Sequence, residues 1–297
     1  MGILNIGAEL LFHEHKYKKI SGNFLSIGKQ TNTISYNHLV PILKKYGIDK
    51  KKFNLAYKKE KDTTTNHTLG NIYDHTFYSC FANIKYRCAD VSNYEGADLI
   101  HDFSKPISRN FHNKFDFIVN FSCMDNMFDP VTFLLNTSKM LTNTGRIVHM
   151  EVAGNYPGAY LMYSPEYFFS YYANNNFTDC KVYLLVTKGC HNKSRFLNKF
   201  DIFTYSPYFT RQKNYDYSKA CRTIPETMYV MVVAEKQKTS TSDKIPIQMQ
   251  FLPKKSFDWR LKYNSYRKNK RPIMNFLKKK RHINPYNSNH FKYIGSY

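Results

Sequence analysis

Between residues 24 and 186, short apolar runs alternate with segments of helical periodicity, and that alternation leaves few folds open to the chain. The runs fall at 24–27, 84–91, 98–101, 115–121, 146–152 and 181–186, with a seventh at 229–234. Between the first two, Leu39, Ile42, Leu43 and Tyr46 recur at helical spacing, Pro41 sits near the start and Gly47 is a stop signal. Asp129-Pro130 and Ser164-Pro165-Glu166 each place a capping side chain just before a proline, the signature of a helix start. The first of these helices is expected to bury Val131, Leu134, Leu135, Ser138 and Leu141, with a turn at Asn143-Thr144-Gly145. The pattern predicts an α/β domain: a seven-stranded, mostly parallel sheet with helices on both faces. No strong helix separates the last two strands, so one of them is expected to run antiparallel.

The domain is expected to span 1–236, with an irregular insertion at 48–82 and a long connection at 189–226. A polar, Ser/Thr-rich linker at 237–252 then leads to a basic C-terminal extension at 253–297. The 297 residues are 42% hydrophobic and 16% aromatic, so Tyr and Phe carry much of the buriable area. Formal net charge is +22, which favours phosphates, nucleic acid or anionic surfaces, although abundant Lys, Asn and Tyr also follow from an AT-rich coding sequence. The six cysteines, at 80, 88, 123, 180, 190 and 221, form no C-x-x-C pair and read as reduced thiols; no metal site is expected. No run reaches the roughly 20 apolar residues of a membrane span, and Met1 to Ile6 lacks the positive flank of a signal peptide. The expectation is a soluble, cytoplasmic protein whose oligomeric state the sequence leaves open.

Two acids stand just past apolar runs: Asp90, in Asp90-Val91-Ser92-Asn93-Tyr94-Glu95-Gly96-Ala97, and Asp102, after Ile100-His101. Open α/β sheets bind ligands beyond the carboxyl ends of their strands. An acid there accepts hydrogen bonds from ribose hydroxyls, and one on the next strand accepts from an exocyclic adenine amine. With Ser26-Ile27-Gly28-Lys29-Gln30, Phe115-Asp116-Phe117-Ile118-Val119, Met127-Phe128-Asp129-Pro130, Thr144-Gly145-Arg146 and Tyr163-Ser164-Pro165-Glu166, these strings come in an order that resembles class I S-adenosylmethionine-dependent methyltransferases. Within them the chain looks most like a group found near polysaccharide biosynthesis genes. The resemblance covers 24–234 and implies a Rossmann-like fold, S-adenosylmethionine as cofactor and a sugar or other small hydroxyl- or amine-bearing acceptor. It implies that Gly28, with Gln30 beside it, passes the methionine part of the cofactor and that Asp90 holds the ribose. Asp102 and Phe103 would face the adenine, and Ser122 and Asp125 the sulfonium end. Catalytic residues stay unassigned. Where the family often has Glu-His, this chain has Asp125-Asn126, and the loop at 154–160 lacks the family's Gly-His-Gly, so low or absent turnover is expected. His149 reads as a satisfied core histidine.

Residues 253–297 carry thirteen Lys or Arg against one acid, Asp258, interleaved with Phe257, Trp259, Tyr263 and Tyr266. Rings that stack on bases beside cations that meet phosphates suit single-stranded nucleic acid. The alternative to a small acceptor is therefore an RNA- or DNA-directed binding protein that uses this tail. The same pattern also suits aromatics docked on the domain with their cations left in water.

Overall fold

The structure is a computed structural model, and it describes residues 2–30, 32–63, 71–93, 95–187, 199–207, 226–247, 259–268 and 291–297. Its elements are α1 (Asn5–Tyr17), β1 (Gly22–Ile27), α2 (Tyr36–Tyr46), α3 (Lys51–Thr63), α4 (Asp74–Tyr78), β2 (Ile84–Asp90), β3 (Leu99–Ile100) and β4 (Phe115–Phe121). Then follow α5 (Pro130–Met140), β5 (Leu141–Gly154), α6 (Pro165–Asn174), β6 (Asp179–Thr187), β7 (Phe200–Tyr205), β8 (Met228–Glu235), α7 (Trp259–Lys268) and β9 (Phe291–Ser296).

All described strands join one nine-stranded sheet in the order β3-β2-β1-β4-β5-β8-β6-β7-β9. The first five are mutually parallel, and β8 enters antiparallel between β5 and β6. The seven expected strands are all present, but the count of seven is corrected to nine. β7 arises inside the long connection, where Phe200-Asp201-Ile202-Phe203-Thr204-Tyr205 pairs antiparallel with β6. β9 arises inside the C-terminal extension and pairs antiparallel with β7. The end of that extension is thus part of the sheet. The expected turn at 143–145 lies within β5, taken up as a register shift against β4.

Both faces of the sheet are covered because alternate side chains point to opposite sides. Phe24, Phe117 and Val148 join one apolar cluster with α1, α2 and α4, whereas Leu25, Ile118 and Ile147 join a second with α5 and α6. Asp129 caps α5 by accepting from the Thr132 N–H (2.9 Å), and Ser164 caps α6 by accepting from Tyr167 N–H (3.3 Å). The buried side of α5 differs from the expected stripe: Phe133, Leu134, Asn136, Thr137, Ser138 and Met140 face inward, while Val131 and Leu135 are only half-buried. Tyr171 explains the polar part, donating to Leu134 O (3.0 Å) and meeting Ser138 Oγ (3.1 Å).

The apolar runs mark no element before β1, but α1 precedes it and is buried from Ile6 to Glu14. Its C-terminus is closed by Arg146 of β5. The guanidinium donates to Glu14 O, Lys18 O and Lys19 O, pairs with the Glu14 carboxylate at 3.1 Å and lies over the Phe117 ring. Positive charge at a helix C-terminus opposes the macrodipole, and the last carbonyls gain donors. Both side chains of the pair are at most 3% exposed. Removing one partner of a buried pair leaves the other charge uncompensated, so Arg146→Ala should lower the free energy of unfolding by about 3–5 kcal/mol. Denaturant titration checks this; a loss under about 1 kcal/mol, the value of an exposed pair, would contradict it.

Candidate functional site

The strand order reverses between β1 and β4. The chain leaves β1 toward β2 on one side and leaves β4 toward β5 on the other, so the loops after these strands diverge. A crevice at this switch point, beyond the carboxyl ends of the strands, is where open α/β sheets take ligands. Here it is a cleft of about 570 Å³, within the range of small-ligand sites. Gly28 of the β1 loop, Asp90 at the end of β2, Asp102 and Phe103 after β3, and Cys123 with Asn126 to Asp129 after β4 all line it.

Gly28 is in the left-handed region (φ +76°), and its N–H continues the ladder to Ala89 O (2.7 Å). A Cβ at this position would stand 2.2 Å from Cys123 Sγ, so any side chain is excluded by sterics as well as by the backbone. Asp90 is fixed at both oxygens: Oδ2 accepts from Lys29 N–H (3.1 Å) and Oδ1 from Val91 N–H (2.6 Å). Each carboxylate oxygen has two acceptor sites, so one remains on each. Asp102 accepts at Oδ1 from Ser104 Oγ and N–H, and Lys105 Nζ is 3.5 Å from Oδ2. The two Ser104 bonds hold its carboxyl below the ordinary range. Phe103 reaches the cleft wall but is otherwise core, packed on Phe133 at 5.6 Å.

Three of the expected residues lie behind the wall, not in its lining. Ser122, itself at φ +65°, donates to Asp125 Oδ2 (2.5 Å), and Asn126 Nδ2 donates to Asp125 Oδ1 (2.9 Å). Asp125 is buried, which pushes its carboxyl up against the opposing pull of the Ser122 bond. Its carbonyl accepts from Tyr160 and Leu161 N–H, tying the β4 loop to the β5 loop. Gln30 is buried and turns back, donating from Nε2 to Ile27 O (2.7 Å). These side chains shape the cleft from beneath.

One residue carries no signal in the sequence, and one network is only partly marked there, through Asp125 and the core histidine His149. Asp74 at the start of α4, within the expected insertion, accepts from Gln30 N–H (3.1 Å) and the Tyr86 hydroxyl (3.2 Å) and pairs with Lys29 Nζ (3.2 Å). Burial raises its pKa, but the His75 bond, the Lys29 charge and the backbone donors outweigh that and leave it lowered. Asp74 therefore clamps the loop that carries Gly28. No local pattern marks it, because the contact spans 44 residues.

The network is a buried chain of Tyr172, His149, Asn120, Glu151 and Asp125 under the same loop. Cys123 N–H can only donate, so Asn120 Oδ1 accepts it (3.2 Å) and Nδ2 faces both Glu151 Oε1 (2.6 Å) and His149 Nδ1 (3.0 Å). His149 Nδ1 must then accept, which leaves the proton on Nε2, 2.5 Å from the Tyr172 hydroxyl. Burial pushes the His149 pKa down to about 3, in keeping with this neutral form. Glu151 is pushed well above the carboxylate range by burial, then by the charge of Asp125. The alternation Val148-His149-Met150-Glu151 on a central strand, two polar residues on one face, is the signal that marks this network.

The C-terminal aromatics that are described are packed. Tyr266 is buried and donates to Phe177 O (3.0 Å), and Tyr263 lies against Phe169 and meets Ser206 Oγ (2.6 Å). Part of the expected linker also docks, with Thr241 N–H donating to Asn175 O (2.9 Å). Phe257, the Trp259 side chain and the basic run at 276–281 lie outside the described residues. Among the described residues no helix is long and apolar enough to cross a membrane.

No protein-family model matches the chain, and no curated protein does. Solved structures do resemble it at low identity. A S-adenosylmethionine-dependent methyltransferase from Archaeoglobus fulgidus is 10% identical with a TM-score of 0.39, over 77% of this chain and 94% of that one. The Haemonchus contortus phosphoethanolamine N-methyltransferase 2 in complex with S-adenosyl-L-methionine is 11% identical with a TM-score of 0.37, over 77% of this chain and 52% of that one. The CMeT domain of the citrinin polyketide synthase is 12% identical with a TM-score of 0.29, over 52% of this chain and 36% of that one. The chain thus spans about half or less of the last two, and the functional reading rests on the cleft itself.

The buried histidine gives a test of the network. A neutral His149 contributes stability that is fully present above its unfolded pKa of 6.5 and is lost as pH falls toward about 3. Glu151 and Asp125, both raised, act in the opposite sense, their contribution being lost as pH rises. They are common to the wild type and His149→Gln, so the difference between the two isolates the histidine. The wild type's advantage should shrink by up to about 1.4 kcal/mol per pH unit between pH 6.5 and 4.5, read by denaturant unfolding. Parallel pH profiles would contradict the buried neutral tautomer.

Proposed function

We propose that the chain binds S-adenosylmethionine in the switch-point cleft and is a methyltransferase for a small acceptor, a sugar or another hydroxyl- or amine-bearing molecule. The observation that carries this reading is the sign of the charge. The protein has 44 Lys and Arg against 22 Asp and Glu, yet among the described residues the acidic side chains lining the cleft are Asp90, Asp102 and Asp129, with no lysine or arginine beside them in the lining. A phosphate-bearing nucleotide calls for cations or a helix N-terminus at this point. Here α2 begins only at Tyr36, well past Gly28. A cationic ligand with a ribose suits three carboxylates, and a sulfonium nucleoside is such a ligand.

The residues present fit that group. Asp90 keeps one free acceptor site per oxygen for the two ribose hydroxyls, held in place by Lys29 and Val91 N–H. Asp102 stays ionised and lies one strand further out, where it can accept from an exocyclic amine. Gly28 leaves the backbone bare beside Cys123. When bound, S-adenosylmethionine supplies an electrophilic methyl group on a positively charged sulfur. The chain's share is then to orient and to exclude water, since aligned reactants supply much of the barrier reduction. Among the described lining residues none is a strong base: the Thr132 Oγ and N–H bonds hold the Asp129 carboxyl below its ordinary range after β4, and His101 Nε2, after β3, meets Lys105 O (3.0 Å). This arrangement suits an acceptor that is already nucleophilic or that loses its proton late.

Asp90→Asn tests the reading. Loss of a charged acceptor from two ribose bonds costs about 1.5–3 kcal/mol, so calorimetry should show S-adenosylhomocysteine bound roughly ten-fold or more weakly. An unchanged affinity in a folded variant would remove Asp90 from the site.

A further inference from the structure

At the β4 end of the cleft the protein carries an uncovered aromatic pair. Phe128 is 83% exposed and Tyr160 is 66% exposed, and their rings stack at 4.7 Å with 28° between planes. Met162 beside them in sequence is 55% exposed. Isolated exposed apolar residues need no explanation, but a stacked pair at the rim of a cleft does. Phe128 belongs to the cleft lining, so the pair continues the site and does not stand apart from it. It is also held in register. Tyr160 N–H (2.9 Å) and Leu161 N–H (3.2 Å) both donate to Asp125 O, and Asp125 is locked from beneath by Ser122 and Asn126. The two rings therefore come from two loops, after β4 and after β5, that the backbone ties together. These are the loops in which the sequence resemblance led one to expect histidines.

We infer that Phe128 and Tyr160 form the acceptor-recognition surface and take an uncharged acceptor through a flat ring face. This rests on the cofactor reading above and names the acceptor class for it. Two aromatic rings offer area and dispersion but few directional bonds, which suits the face of a ring and not a flexible chain. The charge argument disfavours anionic acceptors: Asp129 and Asp90 line the same cleft, and among the described residues no lysine or arginine lines it to receive a phosphate or carboxylate. A π face and the C–H face of a pyranose share this chemistry.

Ligand-observed saturation-transfer NMR on the full chain separates them, with 2-naphthol, methyl β-glucopyranoside and 2-naphthyl phosphate as probes, with and without S-adenosylhomocysteine. The expected result is saturation of 2-naphthol or the glucoside at the wild type, the phosphate binding less well than 2-naphthol. Phe128→Ala and Tyr160→Ala should each weaken the responding probe about five-fold, the value of one lost stack. Both side chains are exposed, so neither variant threatens the fold, and Phe128→Leu tests area against aromaticity by restoring only part of the signal. Saturation by the responding probe that depends on Phe128 without any S-adenosylhomocysteine binding would uphold the aromatic surface and sink the cofactor reading. Equal probe binding by wild type and both alanine variants, or no saturation by either neutral ring, would overturn the inference. So would a wild type that self-associates in sedimentation where Phe128→Ala is monomeric, because the pair would then be a contact between copies of the chain.

Discussion

The parallel pairing of β1 with β4, from Phe24 against Phe117 to Ile27 against Asn120, is the contact on which the rest of the molecule depends. It sets two strands side by side whose following loops must part, and the cleft is the space they leave. The same contact brings Gly28 so close to Cys123 that no side chain fits between them. At the other end of the pair, Arg146 lies on Phe117 and closes α1, so one central strand supports the site above and the N-terminal helix behind. Between these ends the strands supply the two apolar clusters, one on each face of the sheet.

The seven strands found by apolar runs and the two cap-proline helix starts were legible because each is a local signal. Asp90 and Asp102 were legible for the same reason, as acids just past apolar strands. What escaped depends on distant partners. α1 is buried over most of its surface, so its sequence lacks the polar face that marks an amphipathic helix. β9 carries Lys292 and Tyr293 and becomes a strand only because β7 offers an edge about ninety residues away. Asp74 acts on Gln30 and Lys29 from within a segment of weak pattern. Ser122 and Asp125 were placed at the correct strand end, but no spacing rule tells a residue that lines a cleft from one that props it up.

Charge is sorted within the molecule. Among the described residues the lysines and arginines stay outside the cleft lining, while carboxylates gather in it and beneath its floor. The floor adds Asp125, Glu151 and His149, all pushed toward neutrality by burial, the histidine set between tyrosine and asparagine partners. A network in which nearly every donor meets an acceptor rigidifies the loop above it. Preorganisation of this kind is what a site needs when positioning, and not a strong base, does the work. Net basicity favours phosphates, nucleic acid or anionic surfaces in general; the proposed cofactor follows instead from the local sign of the cleft.

The most direct test is a side-by-side calorimetric titration of the wild-type protein with S-adenosylmethionine and with NAD⁺, whose pyrophosphate carries the opposite charge to the sulfonium. The account predicts saturable one-site binding of S-adenosylmethionine, weakened by added salt as charge attraction is screened, and no saturation by NAD⁺ at millimolar concentration. Tight binding of NAD⁺, or no binding of S-adenosylmethionine at millimolar concentration, would contradict it.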